Sequence, residues 1–174
     1  MFSTRFRFIF IVLFILSGVL VPIAGLPIPV SLFFFAAAIF LTVGHFKNGP
    51  MLSILFTLKK GDIAKAEKTL LTIKKPEWLS KQYQAYFHFS WAVIGTFKQD
   101  LDLAKMHSET ALSLGKLQEQ EQAILIYNLA RVAFERKEIE EAKIYITKVE
   151  QISIKDLHLK QRFEELSKLL QQHN

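Results

Sequence analysis

The chain has 174 residues, of which 51% are hydrophobic, and its mean hydropathy is +0.23. It contains no cysteine, which excludes a disulfide framework, thiolate metal ligands and cysteine catalysis. The net charge of +6 comes from 22 basic and 16 acidic residues, and this balance does not by itself indicate a nucleic-acid partner.

The N-terminal part of the chain is strongly apolar, since residues 8–46 contain no Asp, Glu, Lys or Arg. One transmembrane span needs about 20 apolar residues, so this stretch is long enough for two. Pro22 and the string Gly25–Pro29 interrupt it, because proline removes a backbone donor and disfavours helix in the residue before it. The pattern predicts a transmembrane hairpin over residues 1–49, with spans at about 6–24 and 30–45.

Basic residues flank this hairpin on both sides: Arg5 and Arg7 precede it, and Lys47, Lys59 and Lys60 follow it. Lys and Arg near span ends favour the cytoplasmic side, so we expect an integral membrane protein with both termini cytoplasmic. Two alternatives stay open: a cleaved signal peptide with the second apolar run as anchor, and an interfacial or re-entrant hairpin. No ionisable residue lies deep in either span, so the hairpin is expected to anchor the chain in a lipid bilayer and not to transport.

The rest of the chain repeats. Ala66, Ala104 and Ala142 are spaced by 38 residues, and each ends a string of an acidic residue, an aliphatic residue and two variable residues. Apolar residues at three- and four-residue spacing predict two helices per unit, with Asp62 and Asp100 as N-caps. Small residues stand at a matched position on each first helix: Thr57, Gly95 and Ala133. One helical hairpin cannot bury its apolar face alone, so the units are expected to stack.

The third unit resembles a tetratricopeptide repeat (TPR), in the strings 126–130 (Ile-Tyr-Asn-Leu-Ala) and 138–142 (Glu-Ile-Glu-Glu-Ala). The resemblance covers residues 50–152 and implies a TPR-like α-solenoid of about three helix pairs, in an all-α protein. The family's turn glycine is kept only as Gly61 and is replaced by Gln99 and Lys137, and the period exceeds the family's usual length of about 34 residues. Residues 153–174 are predicted to form a capping helix with this apolar stripe: Leu157, Phe163, Leu166 and Leu170.

The candidate binding residues are mainly aromatic. The TPR resemblance implies that six residues line a concave, partner-binding groove: Tyr86, Phe89, Val93, Tyr127, Arg131 and Phe134. Aromatic and arginine side chains are frequent interface anchors. The set of Lys and Arg residues that would clamp a peptide carboxylate is not present, so the groove favours an apolar helix or a hydrophobic peptide. Alternatively, the C-terminal helix folds back and fills the groove.

No catalytic constellation, Gly-rich phosphate loop or metal-ligand spacing occurs in the sequence. We therefore predict no enzyme activity, cofactor, metal or small-molecule substrate. The expected function is that of a membrane-anchored, TPR-like scaffold for protein–protein interaction on the cytoplasmic face. The alternative is a small accessory or assembly subunit of a larger membrane enzyme or transporter complex.

Overall fold

The computed structural model describes residues 4–25, 27–150 and 152–172. The side chains of these residues are described as well, except those of 4–8, 44–49 and 150. This part of the chain contains one short 3₁₀-helix, Pro76–Trp78, and no strand, which confirms the all-α prediction. The α-helices are α1 (Thr4–Ile23), α2 (Ile28–Lys59), α3 (Ile63–Leu70), α4 (Lys81–Lys98), α5 (Leu101–Ser113), α6 (Glu119–Glu135), α7 (Ile139–Glu150) and α8 (Leu157–Gln172). They form two compact units, Met1–Leu52 and Ser53–Asn174.

The first unit is a pair of antiparallel helices, α1 and the greater part of α2. The turn between them includes Gly25, whose φ of +75° favours glycine. The hydroxyl of Ser31 on α2 donates to the carbonyl oxygen of Gly18 on α1, at 2.5 Å. The rings of Phe14 and Phe34 lie 5.9 Å apart. These contacts hold the two helices side by side.

The transmembrane prediction is wrong for these helices, because among the described residues no helix is sufficiently long and apolar to cross a membrane. The spans predicted at about 6–24 and 30–45, and the integral membrane localisation with both termini cytoplasmic, are corrected accordingly. Arg5, Arg7 and Lys47, on which the predicted orientation depended, lie outside the described side chains.

The second helix also differs from its predicted bounds. The sequence predicts that the hairpin ends at residue 49, but α2 continues through Pro50 to Lys59. Proline inside a helix removes one backbone hydrogen bond, and the segment beyond it gains stability from Ile54, which is fully buried. The first helix of the first repeat is therefore the C-terminal part of α2.

The 38-residue period is present in the backbone of the second unit. Just beyond each first helix, at intervals of 38 residues, one residue has a left-handed φ: +78° at Gly61, +60° at Gln99 and +63° at Lys137. The next residue donates its N–H to the carbonyl five residues earlier: Asp62 to Thr57 (3.1 Å), Asp100 to Gly95 (2.9 Å) and Glu138 to Ala133 (2.9 Å). This is the left-handed C-cap motif that commonly ends helices, so the three hairpin turns are equivalent.

The second helices of the hairpins are α3, α5 and α7, and they pack in matching ways. The carboxylates of Asp62 and Asp100 accept from backbone N–H groups in the first turns of α3 and α5, at 3.1 and 3.0 Å, which confirms both predicted N-caps. The three repeat alanines are all buried: Ala66, Ala104 and Ala142. A Cβ on Gly95 would lie only 2.8 Å from the backbone nitrogen of Ala104. Small residues therefore allow α4 and α5 to approach each other closely.

Successive hairpins stack on each other. Packing contacts join α3 to α4, α4 and α5 to α6, and both α6 and α7 to α8. Ion pairs bridge the same boundaries: Glu67–Lys98 at 2.5 Å, Asp102–Arg136, and Lys105–Glu141 at 3.1 Å. Exposed pairs of this kind contribute little stability, so the stack depends mainly on its buried apolar side chains.

The C-terminal helix, α8, packs against α6 and α7. The carboxylate of Asp156 caps it by accepting from the backbone N–H groups of His158 and Leu159, at 2.9 and 3.2 Å. Its buried side chains are Leu159, Phe163, Leu166 and Leu170. Leu157 from the predicted stripe is 66% exposed instead, because it is the first residue of the helix and the four-residue step back from Phe163 reaches Leu159. Residues 173 and 174 of the predicted cap lie outside the described residues.

Candidate functional site: a concave pocket and a histidine pair

Four of the six predicted groove residues lie in packed surroundings. Tyr86 and Phe89 on α4 are each only 8% exposed, and their rings meet edge to face at 6.4 Å. The Tyr127 ring on α6 contacts the ring of Phe163 on α8, with centroids 5.1 Å apart. Phe134 packs against a cluster that includes Leu166 and Leu170 of α8. The helix α8 thus covers the aromatic residues of the third hairpin, as the folded-back alternative describes.

The other two residues, Val93 and Arg131, line a pocket with a volume of about 410 Å³. The pocket is bounded by α3, α4, α6 and α8. Its apolar lining is Ile63, Val93, Phe97 and Ile124, and its polar lining is Thr96, Gln99, Asn128, Arg131 and Arg162. Phe97 is 69% exposed, so a large aromatic ring is available at the rim. We call this site the concave pocket.

The charge and hydrogen-bonding state of the concave pocket favours an anion. Both charged residues in its described lining are arginines. Arg131 donates through Nε to Glu135 Oε1 at 2.8 Å, and no described residue accepts from its Nη groups. Arg162 forms no ion pair with a described residue, and Asn128, which is only 5% exposed, also lines the pocket. Two guanidinium groups and an amide therefore line the same pocket, and all three can donate hydrogen bonds to a bound acceptor.

A larger groove, of about 570 Å³, lies between α7 and α8. Its floor is apolar and includes Val149 and Phe163, but its charged residues carry both signs: Lys160, Lys168 and Glu164. It therefore lacks the single-signed charge of the concave pocket, and it contains none of the predicted groove residues.

A second polar cluster lies between the helices of the second hairpin. The Nδ1 atoms of His88 on α4 and His107 on α5 are 2.8 Å apart, so one imidazole donates to the other. Burial lowers the pKa of His88, and burial together with the nearby His88 lowers the pKa of His107 from 6.5 to about 4. Both rings are therefore neutral at pH 7. The described residues contain no group of three or more side chains that could hold a metal ion.

Sequence reasoning missed both Arg162 and the histidine pair. Arg162 belongs to the C-terminal helix, which was predicted to cap the stack or to fold back into the groove, but no sequence pattern shows which of its side chains would reach the groove. The histidines could have been found from the register of the hairpin. His88 lies four residues before Ala92 and His107 three residues after Ala104, so antiparallel packing of the two alanines places the imidazoles opposite each other.

Comparisons of the chain with protein-family models, curated proteins and solved structures found no match. The TPR resemblance therefore depends on the repeat residues alone. The fold supports the coarser description, an all-α solenoid of stacked helical hairpins.

Proposed function

We propose that the chain is a helical-repeat scaffold that binds a segment of a partner protein in the concave pocket. The observation that carries the proposal is the combination of Arg131, Arg162 and Asn128 in one pocket beside an exposed apolar side chain, Phe97. Stacked helical hairpins present extended concave surfaces of this kind to their partners.

The chemistry of the pocket defines the partner segment. A guanidinium group binds a carboxylate through two parallel hydrogen bonds, and the amide of Asn128 can donate a further one. The neighbouring Ile63 and Phe97 offer apolar area to an adjacent side chain. A partner segment with an acidic residue next to an apolar one satisfies both parts. The sequence disfavours a carboxylate ligand because it shows too few basic residues in the groove, and α8 adds the missing one, Arg162.

Site-specific photocrosslinking tests the proposal. A photoreactive amino acid replaces Phe97 in the full chain, in cells that express the chain naturally, and the adducts are identified by mass spectrometry. We expect a defined protein adduct whose yield falls at least tenfold when Arg131→Gln and Arg162→Gln are combined. Hydrogen bonds to charged groups contribute about 1.5–3 kcal/mol each. The loss of both arginines should therefore weaken binding by more than tenfold.

The matched control places the same photoreactive residue at Ile144 on α7, which is similarly exposed and lies outside the pocket. It should give no adduct that depends on the two arginines. Equal adducts from both positions, or an adduct at position 97 that is unaffected by the double substitution, would contradict binding in the concave pocket.

A further inference from the structure

The histidine pair of the second hairpin has a geometry that permits only some protonation states. With the Nδ1 atoms of His88 and His107 2.8 Å apart, one nitrogen must carry the hydrogen and the other must offer its lone pair. A single added proton leaves this hydrogen bond intact. When both rings are protonated, two N–H donors face each other and two positive charges meet with ring centroids 5.0 Å apart. The doubly protonated pair cannot keep this contact.

The rings next to the pair are aromatic, and no described carboxylate forms an ion pair with either imidazole. The ring of Phe87 meets His88 edge-on at 5.4 Å, and the indole of Trp91 stacks on His107 at 6.0 Å with an interplanar angle of 20°. An indole face stabilises one nearby cation, but it does not carry the negative charge that two imidazolium ions would need.

The acidic side chains of the neighbouring helices act on other groups. Burial lowers the pKa of both rings, and among the described residues the charged group that also lowers the pKa of His107 is His88. Glu67 of α3 forms an ion pair with Lys98, and Glu138 and Glu141 of α7 form ion pairs with Lys105. Glu109 of α5 and Glu121 of α6 add, after burial, to the raised pKa of Tyr145 and of Tyr86.

We propose that the His88–His107 pair is a proton-sensitive latch of the second hairpin. The neutral pair holds α4 against α5, and protonation of both rings breaks the hydrogen bond and opens the hairpin. The device acts on the packing of these two helices and does not depend on any ligand of the concave pocket.

The direction of the pH effect follows from proton linkage. An imidazole with a lowered pKa in the folded chain binds protons more readily after unfolding, so acid favours the open state. The stabilisation is complete above pH 6.5 and is lost as the pH falls toward about 4. Each pKa unit corresponds to a tenfold change in the unfolding equilibrium. The rings are only half buried and solvent screens them, so we expect at least a tenfold change across this window.

Urea unfolding of the full chain at pH 7.5, 6.5, 5.5 and 4.5 tests the latch. Trp78→Phe leaves Trp91 as the fluorescent reporter directly above His107. The test variant is His107→Gln, since an amide remains neutral and can still donate or accept a hydrogen bond. The control is His158→Gln, which removes an exposed histidine of α8. From pH 7.5 to 4.5, the unfolding equilibrium constant of the parent should rise at least tenfold more than that of His107→Gln, and the control should follow the parent.

Identical pH dependence of the parent and His107→Gln would overturn the proposal. A second measurement needs no substitution at the pair: ¹⁵N NMR of the imidazole nitrogens in the full chain. At pH 7 we expect one protonated and one unprotonated Nδ1, with protection of the α4 and α5 amides from hydrogen exchange falling as the second proton binds. Two unprotonated Nδ1 atoms at pH 7, or unchanged protection after both rings are charged, would also exclude the latch.

Discussion

The substitution Gly95→Ala tests how closely the helices of the second hairpin approach. An added Cβ would lie 2.8 Å from the backbone nitrogen of Ala104, 3.2 Å from its Cα and 3.3 Å from the carbonyl oxygen of Asp100. All three are backbone atoms, which cannot rotate away as a side chain could. The start of α5 would have to shift by several tenths of an ångström, and this shift would disturb the burial of Ala104.

The expected loss can be estimated from two opposing effects. Overpacking of a well-packed interior costs about 1–3 kcal/mol, and the rigid backbone contacts place Gly95→Ala at the upper end. Alanine in place of glycine inside a helix returns about 1 kcal/mol through its better helix propensity. We therefore expect a net loss of about 2 kcal/mol, which lowers the urea midpoint of unfolding by about 1 M.

Urea denaturation followed by circular dichroism provides the assay, and the reciprocal substitution Ala133→Gly provides the control. Ala133 occupies the position of Gly95 in the third hairpin, where a Cβ is already accommodated and buried. Removing it should cost about 1–2 kcal/mol through lost propensity and a lost buried methyl group. A Gly95→Ala chain as stable as the parent, or more stable, would refute the close approach of α4 and α5.

Two further stability predictions concern the turns and the cap. Gln99→Gly and Lys137→Gly should each stabilise the chain by about 1 kcal/mol in urea unfolding, because both residues have left-handed φ values that cost an L-residue roughly that amount. A loss of stability would mean that these turns are not left-handed. Phe163→Ala should destabilise the chain by about 3–5 kcal/mol, because its buried ring fills the space beside Tyr127. A loss below about 1 kcal/mol in the same measurement would show that α8 does not pack on the third hairpin.

The parts of the fold that sequence reasoning predicted are those in which local chemistry and repetition agree. The spacing of Ala66, Ala104 and Ala142 predicted equivalent positions in successive hairpins, and all three are buried on second helices. The N-caps at Asp62 and Asp100 were predictable because a carboxylate before a helix satisfies a free N–H.

The misplaced features depend on longer-range effects. Whether a helix stops at Pro50 depends on the burial of residues beyond it, such as Ile54. The helix-breaking effect of proline is local, so it does not take this burial into account. The burial of Tyr86 and Phe89 follows from the packing of neighbouring hairpins, which the helical period alone does not distinguish from an open groove. The role of α8 as a wall of the concave pocket is also a tertiary feature, so Arg162 could not be assigned from its own stretch of sequence.

The central claim, that the concave pocket binds a carboxylate beside an apolar group, can be measured by NMR titration of the full ¹⁵N-labelled chain. The two probes are N-acetylphenylalanine and its neutral amide, in which a carboxamide replaces the carboxylate. We expect saturable shifts of the Asn128 side-chain amide and of the Arg131 and Arg162 Nε–H signals with the acid, and at least tenfold weaker binding of the amide. Equal affinities for the two probes, or shifts confined to residues outside the pocket, would contradict it.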